Sequence, residues 1–321
     1  MSQTTGAARP PEPDYATITA EELRAYRDAE NHFRASAAAR ALLGEPTADA
    51  TIAWQDVALP GRDLRVRVYR PAEEADGGPA TRTGRLPLVV HVHGGGFVGT
   101  AAQCDWTNSH LAARLPALVV SVEHRLLAHD STLADAADDG WDVLQHVLRH
   151  AGQWGADPTR VAVFGESCGA LISALTAIRA RGSGLELAAQ VLVNPVAEVA
   201  SGMLDHPSIT EYAYQPSPAL PLLRLFSRLA VPPGGDADAV SPLRADDLSA
   251  LAPALVVVPT RDALADHGRR YAERLRAAGT PVRLTEYAGA RHAFLTLPGV
   301  EPQAEAAQAE VLAFLSAALV G

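Results

Sequence analysis

Two short glycine-bearing segments hold the residue types that acyl chemistry requires. Gly165-Glu166-Ser167-Cys168-Gly169 is a G-x-S-x-G pentapeptide, preceded by the apolar run Val161–Phe164 and followed by the helical pattern ALISALTAIRAR. A strand that turns this sharply into a helix leaves no room for side chains two residues either side of the serine. The turn lifts the serine hydroxyl to the top of a sheet, where it can act as a nucleophile. His93-Gly94-Gly95-Gly96-Phe97 follows another apolar run, Leu86–Val92. Glycines after a strand leave backbone N–H groups free to approach a ligand closely. With the N–H of Cys168, the residue after the nucleophile, such groups stabilise the oxyanion of a tetrahedral intermediate. By composition, a chain of this length holds by chance about 0.09 matches to the first motif and about 0.005 to HGGG, so the pair is a strong signal.

A serine nucleophile needs a base and an acid to orient it, and behind a G-x-S-x-G elbow they follow in the order Ser, Asp/Glu, His. Three histidines follow Ser167: His206, His267 and His292. His206 falls in a proline-rich insertion and His267 inside a helical pattern. His292 follows the last strand, in the loop GARHAF, and is the best base by position. Asp262 closes the run ALVVVPTRD and is the first choice of acid, although an Asp there also suits a helix N-cap. Asp266, one helical turn later, is the second choice. Cys168 is an alternative nucleophile, but its place after the elbow serine favours a backbone role. His91 and His93 lie two apart on a strand and so point to one face. No third metal ligand is apparent nearby, which favours a buried His91 and a structural His93 bracing the glycine loop. No metal and no organic cofactor is called for. Phe97, Trp106, Tyr212, Tyr214 and Phe226 are candidates for pocket lining or for core and lid packing.

These residues must be placed by an alternating framework. Residues 1–13 read as a mobile arm, and 14–44 as two helical segments, one through EELRAYRDAE after Thr19 and one through NHFRASAAARALL to Gly44. TIAWQDVALP and LRVRVYRP alternate as strands do, and residues 72–85 read as a loop. The apolar runs 86–92, 117–122, 161–164, 189–193 and 254–258 follow, with 282–287 as a last strand. Helical patterns at 108–115, 134–150, 170–181 and 263–278 lie between them. This is an α/β chain with a mostly parallel sheet covered on both faces. Residues 201–246 break the alternation, with many prolines and one helical run at 219–229; they read as a lid over the ligand-binding edge. The expected organisation is an N-terminal arm with cap helices at 1–45, a catalytic core at 46–200 and 247–321, and a cap insertion at 201–246.

Composition excludes several other classes. Of 321 residues, 27 are basic and 37 acidic, for a formal charge of −10, and every basic residue is Arg. That balance offers no nucleic-acid footprint. No apolar run approaches a membrane span; the longest, Val311 to Val320, reads as a docking C-terminal helix. The N-terminus lacks an apolar signal region, and two cysteines, Cys104 and Cys168, make no disulfide framework. A cytoplasmic protein acting on a small molecule is the expectation.

Together these segments resemble the α/β-hydrolase superfamily, and within it the hormone-sensitive-lipase-like esterases. The resemblance spans about residues 50–321. It rests on HGGGF at 93–97, GESCG at 165–169, RDALAD at 261–266 for the usual D-P-L-x-D, and RHAF at 291–294 for H-G-F. It implies an α/β-hydrolase fold with a helical cap, and a triad of Ser167, Asp262 and His292. Gly95, Gly96 and Cys168 would donate to the oxyanion, with Gly94 shaping the turn or sharing that role. The implied activity is hydrolysis of a short-acyl, small-molecule carboxylic ester, in a family where homodimers are common. The same machinery serves lactones, amides and acetylated natural products. An acyltransferase on the same triad and a non-catalytic ligand-binding relative are the rival readings. Two departures stand out: GESCGA replaces GDSAGG, and His124-Arg125-Leu126-Leu127-Ala128-His129 replaces Y-R-L-A-P-E-H.

Overall fold

The computed structural model describes residues 8–72, 84–215 and 217–320; residues 1–7 of the expected arm and 73–83 of the expected loop lie outside the described residues. The chain runs α1 (Ala20–Arg34), α2 (Ala37–Leu43), β1 (Ala50–Leu59), β2 (Arg62–Pro71), β3 (Leu86–Val92), α3 (Asp105–Arg114) and β4 (Leu118–Val122). It continues through α4 (Leu133–Arg149), α5 (Ala151–Trp154), β5 (Ala156–Glu166), α6 (Cys168–Gly182), β6 (Ala189–Val193), α7 (Pro207–Glu211) and α8 (Ala219–Ala230). It ends with β7 (Ala254–Arg261), α9 (Ala265–Ala277), β8 (Val282–Arg291) and α10 (Ala304–Leu319).

Eight strands form one sheet in the order β1-β2-β4-β3-β5-β6-β7-β8. β1, β2 and β4 pair antiparallel, and every other neighbouring pair is parallel. The chain steps outward from β3 to β4, then returns to place β5 on the other side of β3. The carboxyl ends of β3 and β5 therefore flank the point where strand order reverses, which in open α/β sheets is where ligands bind. Those two ends carry the HGGGF and GESCG segments.

Successive strand side chains alternate between faces, and both faces are covered. Val89, Phe164, Val191 and Leu255 pack with Leu111 of α3 and Val311 and Leu315 of α10. On the opposite face Val90, Val92 and Val163 pack with Val143 and Leu144 of α4 and with Leu171 and Ile172 of α6. Val256 and Val258 pack there with Tyr271 and Leu275 of α9. Burial on both faces explains why the central strands read as continuous apolar runs. Among the described residues no helix is long and apolar enough to cross a membrane.

Several details differ from the sequence expectation. The first helix runs on through Asn31-His32-Phe33 to Arg34, and the break comes at Ala35–Ser36, where the Ser36 hydroxyl caps α2 by accepting from the Ala39 N–H at 3.3 Å. Residues 8–13 are irregular but not detached. Arg9 pairs with the buried Glu30 carboxylate at 3.2 Å, because that carboxylate needs compensating charge. The insertion holds a second short helix, α7, opened by Pro207 at its first position.

Candidate active site

Ser167 sits between β5 and α6 with φ 54° and ψ −117°. A non-glycine residue held there costs about 1–3 kcal/mol, so the surroundings must enforce it. The Ser167 N–H donates to the Val193 carbonyl at 2.9 Å, and its own carbonyl accepts from Ala170 at 3.1 Å and Val196 at 3.3 Å. The flanking glycines are required by contact. A Cβ at Gly165 would lie 2.2 Å from the Gly169 oxygen, and one at Gly169 would lie 2.1 Å from the Val92 oxygen.

Ser167, His292 and Asp262 are brought together from three strand ends. His292 Nε2 lies 2.9 Å from Ser167 Oγ, and His292 Nδ1 lies 2.8 Å from Asp262 Oδ2. With the ring proton assigned to Nδ1, the ring donates to Asp262 and accepts from the serine hydroxyl. Asp262 Oδ1 also accepts from the Leu264 N–H at 2.9 Å, so one carboxylate both closes the turn into α9 and holds the imidazole. Burial by itself would lower the His292 pKa. The adjacent Asp262 and, further off, Glu166 outweigh it, and the pKa is raised above 6.5. The His292 side chain keeps 38% of its surface exposed, so solvent screens part of this attraction.

The other candidates lie elsewhere. Asp266 is engaged by the Ser208 N–H and by Arg269, both at 2.9 Å, which ties α9 to α7. His267 accepts from the Ala197 N–H through Nδ1 and donates from Nε2 to the Met203 carbonyl. His206 packs edge-on against it. His93 donates from Nδ1 to the Gly94 carbonyl at 2.8 Å and stacks on His124. Burial depresses both His93 and His124 to about 4, which keeps them neutral.

The glycine loop is held by its carbonyls. The Gly96 oxygen accepts from the Leu127 N–H at 2.7 Å, so the HRLLAH segment anchors the loop through its backbone despite its altered side chains. The Gly94 oxygen accepts from Gln103 Nε2 at 3.1 Å. Gly95, with φ +92°, packs so closely on the Val98 carbonyl that a Cβ would lie 2.1 Å from its oxygen. Among the described residues the N–H groups of Gly94, Gly95 and Gly96 donate to no backbone carbonyl. Cys168 opens α6, and the first N–H groups of a helix have no partner inside it.

Sequence reasoning missed how α1 contributes. Arg27 donates to the carbonyls of Phe97 at 2.8 Å and Leu127 at 2.7 Å, Asn31 Oδ1 accepts from the Gly99 N–H at 2.8 Å, and Arg34 donates to Gln103 at 2.6 Å. Positions 27, 31 and 34 fall on one helix face, and that polar stripe was the available signal. Glu166 was also missed. It is buried, its pKa is raised by burial to about 7, and Oε2 accepts from Thr296 Oγ1 at 2.9 Å. The carboxylate beside the nucleophile thus ties the elbow to the turn that carries His292. Burial pushes the Cys168 thiol up to about 12, which leaves it protonated and a poor nucleophile.

Above Ser167 opens a cavity of about 530 Å³, lined by the glycine loop, Phe97 and Phe226, by Tyr15, Tyr26 and Phe33 of the N-terminal segment, and by Tyr212. Trp106, in the first turn of α3, is instead half-buried against the core that α3 and α10 cover, and Tyr214 is 59% exposed. The family model described as the alpha/beta hydrolase fold matches residues 89–296. An esterase of Mycobacterium tuberculosis, LipI, is 35% identical over 82% of this chain and 80% of its own length. The carboxylesterase NlhH of the same organism is 36% identical over 80% of this chain and 79% of its own. A solved ester hydrolase from the metagenome of Lake Arreo superposes with a TM-score of 0.83 at 29% identity, covering 95% of this chain and 92% of that one.

Proposed function

The chain belongs to the α/β-hydrolase family, in its hormone-sensitive-lipase-like branch, and on that premise we propose that it hydrolyses carboxylic esters with Ser167 as nucleophile, His292 as base and Asp262 as orienting acid. The observation that carries this reading is the continuous chain Ser167 Oγ, His292 Nε2, His292 Nδ1, Asp262 Oδ2, with gaps of 2.9 and 2.8 Å.

The ester carbonyl enters between the elbow and the glycine loop. Ser167 Oγ attacks its carbon while His292 Nε2 takes the hydroxyl proton, and Asp262 stabilises the imidazolium that forms. The negative charge that develops on the carbonyl oxygen is met by the N–H groups of Gly95, Gly96 and Cys168, with Gly94 setting their approach. Losing one such donor costs about 10²–10³ in turnover. The intermediate collapses, the C–O bond to the alcohol breaks, and His292 returns its proton to the leaving oxygen. Water then attacks the acyl-serine with His292 again as base, releasing the acid. The cap is formed by described residues within 1–45 and 201–246, which supply Tyr15, Tyr26, Leu223 and Phe226 to the cavity. The substrates are small esters with short acyl chains, since the Phe226 ring packed against Gly96 fills space a longer chain would need.

Hydrolysis of p-nitrophenyl acetate, butyrate and octanoate by the wild type and by Ser167→Ala tests the reading. Turnover should collapse in the variant by about 10⁴–10⁶, leaving only what the oxyanion donors and binding provide. Turnover that survives Ser167→Ala removes the mechanism. Transfer of the acyl group to an added alcohol, in preference to water, converts the assignment to an acyltransferase.

A further inference from the structure

Beside the elbow, three buried side chains from three different segments converge. They are His91 on β3, Cys104 in the single turn before α3, and Glu166 at the end of β5. One ligating atom from each lies within 4.8 Å of the others. His91 Nε2 is 4.0 Å and Cys104 Sγ 3.9 Å from Glu166 Oε1. His91 Nε2 is buried with no hydrogen-bond partner. The groups that gather beside His91 are Cys104 and Glu166 rather than His93, and sequence spacing does not connect them.

We propose that His91, Cys104 and Glu166 form a buried binding site for a thiophilic divalent cation, zinc or cadmium. Imidazole nitrogen, thiolate and carboxylate are the ligand types zinc takes, at about 2.0–2.3 Å. The two spacings to Glu166, 4.0 and 3.9 Å, need to draw in by about half an ångström to reach the spacing those bonds set, and His91 and Cys104, within 4.8 Å of each other, by up to about 1 Å. The charges also balance: one thiolate and one carboxylate neutralise a dication, so no uncompensated charge is left in the core. Of the three residues, Glu166 also lines the catalytic cavity.

The surroundings suit a ligating histidine. The His91 ring is fully buried and its Nε2 has no other partner to compete with a cation. Its Nδ1 lies 2.8 Å from Ser121 Oγ and 3.1 Å from the Asn108 side-chain amide, whose Oδ1 is buried and partnerless. With the ring proton on Nδ1, the ring donates to Ser121, or to Asn108 once that amide is turned, and Nε2 presents its lone pair to the cation. Outer partners of this kind fix the tautomer of metal-bound histidines. Cys104 is held protonated by burial. Binding forms an S–metal bond as the Cys104 S–H bond breaks, and the thiol proton, with any held by Glu166, leaves to solvent. The binding itself is independent of the esterase reading. Its effect on turnover, through withdrawal of Glu166 from Thr296 and His292, rests on that reading.

The test is titration of metal-free protein with Cd²⁺, following the sulfur-to-cadmium charge-transfer band, with ester hydrolysis measured in the same samples. One equivalent should bind. The band should vanish in Cys104→Ser, and affinity should fall by about 10–100-fold in Ser121→Ala, which leaves the ligands in place but frees the ring. His91→Gln should weaken binding further, and supplies a second variant should Cys104→Ser fold poorly. Turnover should drop several-fold on saturation and return with chelator. No band, or a band that survives Cys104→Ser and is lost in Cys168→Ala, overturns the site. A band that obeys the variants with unaltered turnover keeps the site and removes its link to catalysis.

Discussion

Arg27 donates from its Nε to the Phe97 carbonyl at 2.8 Å, across 70 residues of sequence, and from Nη2 to Leu127 at 2.7 Å. Helix α1 thereby grips both sides of the glycine loop, since Leu127 itself holds the Gly96 carbonyl. Misplacing reacting groups by about 1 Å costs about 10²-fold in rate. Arg27→Met, which keeps the apolar stem and removes the donors, should lower kcat by about 10–100-fold with a smaller change in KM. Steady-state kinetics on p-nitrophenyl butyrate, beside an unchanged circular-dichroism spectrum, would check this. An equal rise in KM at constant kcat would mean that Arg27 only shapes the cavity.

The acid is assigned by contrast between two neighbours. Asp262 faces His292 at 2.8 Å, whereas the Asp266 oxygens are taken by Ser208 and Arg269. Asp262→Asn should cost about 10⁴ in kcat by favouring the wrong imidazole tautomer. Asp266→Asn should stay within severalfold of wild type.

Glu166→Gln should change the pH profile. The base must be neutral to accept the serine proton, so activity is lost as pH falls through the His292 pKa. Burial pulls that pKa down, and the negative charges of Asp262 and then Glu166 push it above its ordinary value. Removing the Glu166 charge should move the acid limb of kcat/KM to lower pH. Glu166 itself protonates near about 7, so the wild-type limb belongs to the coupled pair and should sharpen to one titration in the variant. An unmoved limb would separate Glu166 from the base.

The core and the three triad candidates were legible because each leaves a local mark. Buried parallel strands are apolar runs, and the elbow needs Gly165 and Gly169 at fixed spacing. His292 and Asp262 follow strands whose ends share one edge of the sheet. The contacts that brace these residues leave no such mark. Arg27 meets Phe97, Thr296 meets Glu166, and Cys104 meets His91 only after the chain has folded. Helix α7 escaped notice because five residues carry no period. Residues 8–13 resembled a free arm, since what anchors Arg9 is Glu30, buried only in the folded chain.

The resemblance motif at the base has glycine where this chain has Ala293, and Ala293 has φ 62° in the left-handed region. A Cβ there costs about 1–2 kcal/mol. Ala293→Gly relieves that strain and gives back part of it as added freedom of the unfolded chain. A net gain of up to about 1 kcal/mol is expected from urea unfolding, with kcat near wild type because His292 keeps both partners. A loss of stability would mean that packing of the Ala293 methyl outweighs the backbone strain.

Phe226 is where the cap meets the glycine loop. It lies on α8, is 4% exposed, and its ring is so near Gly96 that a Cβ there would fall 2.3 Å from Cε2. The ring thus fills space beside the oxyanion donors, where a longer acyl chain would run. Phe226→Ala opens that space, and because each added methylene in an apolar pocket is worth about 1–3 kcal/mol, the octanoate-to-acetate ratio of kcat/KM should rise by at least about tenfold. The same change removes buried apolar contact and should cost about 3–5 kcal/mol of stability, so the kinetics belong well below the variant's melting temperature. Phe226→Trp should shift the ratio toward acetate. Equal losses on acetate and octanoate in Phe226→Ala would place the acyl chain elsewhere in the cavity and leave Phe226 as a support for the loop alone.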